Sequence, residues 1–181
     1  MVSLDDQILI AVRDWILAAT DLPGGRVVPA DDSGTRPNLP YITIRILTSD
    51  NPTAWAEKTW SYDEDEDRLD QNIIGRRRGS IQLDGYGRGA YQHLTDAALK
   101  LEAAPVRRVL RGHGLTVHKG GVINDISQLV DDEIEKRYQR DHTITYAVTF
   151  KDAIEDAAPV LGEFAGDFEF DGDSFTVVED S

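Results

Sequence analysis

Cysteine is absent from the 181 residues. Its absence excludes disulfide scaffolds, thiol nucleophiles and cysteine-ligated zinc or iron–sulfur centres. Basic residues are scarce: 19 Lys and Arg face 33 Asp and Glu, for a formal net charge of −14. Such a surface repels DNA, RNA and anionic membranes at long range. Long apolar runs are also missing. The longest, around Ile8 to Ala19, is broken by Arg13 and Asp14, and it is too short and too charged to span a bilayer. Asp5 and Asp6 stand where a signal peptide would carry basic residues, so the chain is expected to stay in the compartment where it is made. There is no Gly-rich loop ending in Gly-Lys-Ser/Thr, which excludes a P-loop, and no Gly-x-Ser-x-Gly elbow. His93, His113, His118 and His142 form no His-x-x-x-His pair and no His–carboxylate cluster at metal spacing. Nothing in these patterns points to a Ser/His/Asp triad, a cofactor or a metal site.

What is present is ordinary for a soluble globular protein: 40% apolar and 29% charged residues. A chain of this length buries roughly 70% of its unfolded surface, so it can hold a core without staples. Ser3 followed by Asp6 reads as a helix start. Leu4, Ile8, Val12, Trp15, Ile16 and Ala19 then recur at helical spacing, which predicts a helix over 3–20. Leu9, Ile10 and Leu17 lie off that stripe and imply burial on a second side. Arg26 to Pro29 is a short strand candidate. Further strands are predicted near 41–48, 53–62, 79–84, 114–119 and 138–150, and a second helix near 88–103. Pro105 opens a third, short helix ending at Gly112 or Gly114. The stretch from Val122 to Val130 is ambiguous. From Glu133 the even positions alternate down to Phe150, and a long strand is preferred there over a helix at 131–138. The fold class is α+β: one mixed or antiparallel sheet flanked by helices, with an acidic C-terminal arm.

The arm differs from the rest. Residues 1–150 read as the α+β domain, with 23 acids and 18 bases; residues 151–181 hold ten acids and one base. Four of the five phenylalanines are also there, among them Phe168, Phe170 and Phe175. Disordered tails are seldom so aromatic. Asp171-Gly172 between aromatic pairs is a hairpin signal, so the arm is read as packing on its own body or on a neighbour.

Several patterns invite chemistry. Gly85-x-Gly87-x-x-Ala90, between a strand and a helix, formally matches the dinucleotide fingerprint. Its context favours a plain turn, because the following helix leads into Pro105 and no acid ends a second strand. Asp171 and Asp173 resemble the start of a calcium loop, but the later ligands are replaced. His142 shares a strand face with Ile144 and Tyr146 and reads as a surface or interface residue. Asp63 to Asp67 are five consecutive acids, read as an exposed loop. Arg76, Arg77 and Arg78, with Arg88, Arg107, Arg108 and Arg111 nearby, read as a basic set that pairs with the acidic loop or tail of an adjacent copy, in preference to plain solvated charge or contact with DNA phosphate. Trp55 and Trp60 are core residues or interface anchors.

The chain resembles tailed-phage neck proteins of the tail terminator family over roughly residues 3–150. The resemblance rests on ordered segments. These are the N-terminal amphipathic helix, Arg36-Pro37-x-x-Pro40-Tyr41 leading into an Ile/Thr strand, and the Arg-rich entry to Ser80-Ile81-Gln82-Leu83. Next come Gly85-Tyr86-Gly87 into an Ala/Leu helix, the Pro-led helix ending at Leu110-x-x-x-Gly114-Leu115, and Glu133 to Tyr138 running on to Tyr146 and Phe150. The resemblance implies a virion protein, made in the host cytoplasm, that forms a homohexameric ring. The ring would cap the tail tube and join it to the head connector or stopper protein. Genomic DNA would pass the lumen without specific binding, and no membrane would be involved. The resemblance leaves a head-completion or tail tube subunit as the nearest competitor; the residues leave a nucleotide-binding cytosolic enzyme using the Gly85–Ala90 turn and an acidic binding module.

Overall fold

The computed structural model describes residues 3–31, 34–52, 56–63, 68–130 and 133–154. The chain divides into two compact units, Met1–Ala56 with Gly75–Val148, and Glu57–Ile74 with Thr149–Ser181.

The first unit begins with α1 (Leu4–Ala19). Its start is a capping box: Asp6 N–H donates to Ser3 Oγ at 3.1 Å, and Ser3 N–H donates to Asp6 Oδ2 at 3.3 Å. At the far end the Thr20 backbone N–H and hydroxyl both donate to Ile16 O, at 2.9 and 2.8 Å. A short 3-10 turn (Gly24–Arg26) leads into β1 (Val27–Pro29), which pairs parallel with β2 (Tyr41–Pro52). Then come β3 (Glu57–Asp63) and β4 (Arg68–Tyr86). Two helices follow, α2 (Ala90–Leu99) and α3 (Ala104–Gly112), joined by a 3-10 turn over Lys100–Glu102. Short strands β5 (Leu115–Val117), β6 (Asn124–Asp125), β7 (Gln128–Val130) and β8 (Glu133–Glu135) precede β9 (Arg137–Ile154). Among the described residues, one mixed sheet runs β1-β2-β4-β9-β5, with β3 on β4 and β6 on β9; β7 and β8 form a separate hairpin. The α+β class is as the sequence indicates.

Strand pleating decides which side chains meet the helices. Ile42 and Ile44 on β2, Ile81 and Leu83 on β4, Leu115 and Val117 on β5, and Ile144 and Tyr146 on β9 form one inner face. Ile8, Val12, Trp15 and Ile16 of α1, Leu94 and Ala97 of α2, and Val106 and Leu110 of α3 cover it. Trp15 is fully buried, and its indole N–H donates to Ala97 O at 3.2 Å.

The elements depart from the pattern reading in instructive ways. The helix expected over 88–103 is α-helical only to Leu99 before it tightens. β4 is far longer than 79–84, running from Arg68 through the arginine triplet. Its first part pairs with β3, from Asp63↔Arg68 to Glu57↔Ile74, and that two-stranded ribbon makes up the described part of the second unit before Thr149. A ribbon of this kind buries no face deeply and so leaves no strict alternation to read. The long strand preferred from Glu133 is interrupted at Lys136, whose carbonyl accepts from Gly87 N–H at 2.9 Å. β9 continues through Ile154; residues 64–67 of the acidic run and the arm from 155 lie outside the described residues.

His142 is a correction. It is not on the surface but 2% exposed. The face it shares with Ile144 is the face under α1, so the ring is carried into the core. It stands edge-on to Trp15, 5.1 Å between ring centroids, and its Nδ1 lies 3.0 Å from His118 O. Nε2 is buried without a hydrogen-bond partner among the described residues. Burial pushes the His142 pKa below its ordinary value of 6.5; the bond to His118 opposes this, Arg140 adds to it, and Asp141 opposes it. Protonation therefore favours the unfolded chain. The stability contributed by neutral His142 is complete above about 6.5 and is lost as pH falls through the lowered folded-state value. The unfolding free energy of the native protein, from urea titrations, should fall with decreasing pH by up to about 1.4 kcal/mol per unit from this group. A His142→Gln variant should show a shallower slope over the same window; an equal slope would remove His142 as the cause.

Candidate functional site

The outer face of the sheet, opposite the helices, carries a connected polar and aromatic cluster. Antiparallel register sets Tyr41 beside Tyr86, Thr43 beside Asp84 and Arg45 beside Gln82. Those positions alternate with the buried isoleucines and leucine, so the pleat turns them away from the core. The Tyr41 and Tyr86 rings stack at 4.5 Å between centroids and 9° between planes. The Arg137 guanidinium lies 5.1 Å from the Tyr86 ring centre and donates through Nη2 to Asp84 Oδ2 at 2.9 Å. Asp84 is 2% exposed, and Gln82 Nε2 donates to both of its oxygens at 3.0 Å. A buried carboxylate is tolerable only when paired and hydrogen-bonded in this way.

Two further segments join the cluster. Arg36 Nη1 lies 3.3 Å from Glu135 Oε1, linking the loop before β2 to β8. Ser127 Oγ accepts from Arg137 N–H at 3.1 Å, and the Ser127 backbone N–H donates to Asp125 Oδ1 at 3.0 Å. Burial would lower the Arg137 pKa; the hydrogen bond and charge of Asp84, with Tyr86 and Glu135, outweigh it and raise it. Burial also raises the Tyr41 pKa, partly offset by Arg36. The cluster joins arginines, carboxylates and two stacked phenols. The Ser127 hydroxyl also donates to Asp125 Oδ1, and no group of metal-ligating side chains is found among the described residues.

The Gly85–Ala90 turn is filled by the chain itself. A Cβ on Gly85 would lie 3.0 Å from the Ala90 Cβ and 3.3 Å from Leu94, and one on Gly87 would lie 3.0 Å from Leu39. Gly87 has φ +86°, which side chains other than glycine rarely adopt. These glycines let β4, α2 and the loop before β2 approach closely, where a pyrophosphate would need open space.

The residues singled out from sequence fall elsewhere. Trp60 is on β3 and 54% exposed, so it contributes to no core among the described residues. Arg76, Arg77 and Arg78 lie on β4, whereas Arg107, Arg108 and Arg111 lie on α3. Trp55, Phe168, Phe170 and Phe175 lie outside the described residues. Asp84 and Arg137, the centre of the cluster, were not marked by any motif. The available signal was an acid and an arginine at outward parity on strands whose inward positions are apolar.

Arg137→Met should leave Asp84 buried without its cation. The expected loss is about 3 kcal/mol, near the low end for a broken buried pair because Arg137 is 28% exposed. Adding Asp84→Asn should recover part of that loss in urea denaturation; a double variant no more stable than Arg137→Met would show that the pair is not the cause. Gly87→Ala should cost about 1–3 kcal/mol by the same measurement, from backbone conformation and the contact with Leu39.

A family model described as phage neck terminator protein matches residues 6–167. The match extends beyond residue 150 and ends just before Phe168. No curated protein matches the chain.

Proposed function

The chain belongs to the phage neck terminator protein family, and we propose that its copies close into a six-membered ring that caps the tail tube and joins it to the head connector. The observation that carries this is the family match over residues 6–167. Membership itself makes the protein a structural component of the phage neck, a virion protein that associates with other head or tail components. The ring, its closure at six copies and its two partners are the proposal, as is assembly in the host cytoplasm.

Several features support it. A ring needs heterologous contacts, in which two different surfaces of each copy meet. Trp60 is exposed on the β3–β4 ribbon. On the β7–β8 hairpin Leu129 and Ile134 are cross-strand partners and are 68% and 66% exposed. A two-stranded hairpin is marginal in water by itself, and an apolar pair on it gains from being covered. Trp55, Phe168, Phe170 and Phe175 are further anchors in this reading, and Arg76 to Arg78 pair with acids of an adjacent copy. The net charge of −14 suits a DNA conduit, since an acidic wall does not hold phosphate as the genome passes.

Native mass spectrometry of the purified protein, alone and with tail tubes, tests the proposal. A discrete hexamer, or a monomer that forms rings only at tube ends, is the expected result. Self-stacking filaments would make the protein a tube subunit instead, and a monomer indifferent to tubes would overturn the ring.

A further inference from the structure

Among the described residues, strand β5 is the last strand of the main sheet, and β9 is its neighbour there. His118 N–H donates to Thr143 O at 2.8 Å. Antiparallel strands alternate bonded and non-bonded positions, so Thr116 also turns its backbone groups toward β9. The N–H and C=O of Leu115 and Val117 therefore point outward from the sheet. Open edges of this kind accept an added strand.

Beside this edge lies a groove of about 430 Å³. Leu101, Leu110, Leu115 and Val117 give it apolar walls, and Arg107 and Arg111 of α3 stand on it. Glu102 also lines it, 3.9 Å from Arg107. Arg111 and the neighbouring Arg108 have no ion-pair partner among the described residues. The groove thus asks for an extended segment with apolar side chains and an excess of acids.

One segment of this chain has that composition. Residues 155–181 contain nine acids, no Lys or Arg, and four phenylalanines. Phe168-Glu169-Phe170-Asp171 alternates aromatic and acid with the period of a strand. The family match stops at residue 167, before Phe168. Extended, the 14 residues from Ile154 to Phe168 reach about 46 Å, enough to carry the segment off its own strand end toward a neighbour.

We propose that the segment around Phe168–Phe175 of one copy adds as a strand to the β5 edge of a neighbouring copy. Its aromatics fill the groove and its acids face Arg107, Arg108 and Arg111. The inference rests on the ring reading, which sets copies side by side. An arm passed from each copy to the next is a heterologous contact that closes with the ring. It also covers a sheet edge that would otherwise recruit other chains.

The test uses the full chain with Phe170→p-benzoylphenylalanine, mixed in equal parts with an isotope-labelled copy lacking the photo-crosslinker. Irradiation followed by mass spectrometry of peptides should show light–heavy crosslinks from position 170 to residues 101–117. Arg107→Glu with Arg111→Glu in the labelled copy should lower their yield about fivefold or more; both arginines are exposed, so folding is not at stake. Crosslinks confined to one copy, crosslinks to another surface, or a yield indifferent to charge reversal would each overturn the proposal. Native mass spectrometry of the same samples separates the two levels. With tail tubes added, a ring without the crosslink sinks only this inference, whereas monomers that ignore the tubes sink the ring reading and this inference with it.

Discussion

The buried indole of Trp15 is the contact through which the layers of the first unit are joined. It rises from α1, donates its N–H to Ala97 at the end of α2, and sets its face against the edge of His142 on β9. One side chain therefore fixes two helices against the middle of the sheet. The indole N–H needs a partner once buried, and Ala97 O supplies it. The helix stripe around it, Ile8, Val12 and Ile16, then finds the inward positions of β2 and β4. His142 must be neutral to stay where this packing puts it, so a pH-sensitive group is built into the core.

Helices cover one face of the sheet, and the other face solves a different problem. Asp84 is carried to that face by the same alternation that buries Leu83. Without a helix to pack against, it is satisfied by Arg137, Gln82 and the tyrosine stack around them. Strands β4 and β9 are locked together here by charge where the inner face locks them by apolar contact. Arg36 and Glu135 extend the network to the loop before β2 and to the β7–β8 hairpin. The exposed Leu129–Ile134 pair lies on that hairpin.

Charge is distributed to the same end. Acids dominate the chain, yet arginines gather on α3 and on the middle of β4. In the proposed ring such separation would serve assembly, since like charges keep free copies apart and opposite patches orient them on encounter.

Much of the fold was legible in the residues. The Ser3 cap, the α1 stripe, the Tyr41–Leu47 strand, the Pro105 helix start and the Gly85–Ala90 turn all follow from interactions within a few residues, and such signals survive in any context. The ordered segments that resemble terminator proteins were legible for the same reason. The length of β4, the break at Lys136 and the burial of His142 were not. Each depends on what lies across the sheet or above it. Parity along a strand shows which residues share a face, but only the arrival of α1 decides which face becomes core. That choice buried His142 and left Asp84 and Arg137 on the other face to neutralise each other. The sequence by itself determined the local helix and strand signals, the charge and the family. The tertiary structure decided the pairing of distant charges, because an ion pair between residues 84 and 137 exists only once β4 and β9 lie side by side.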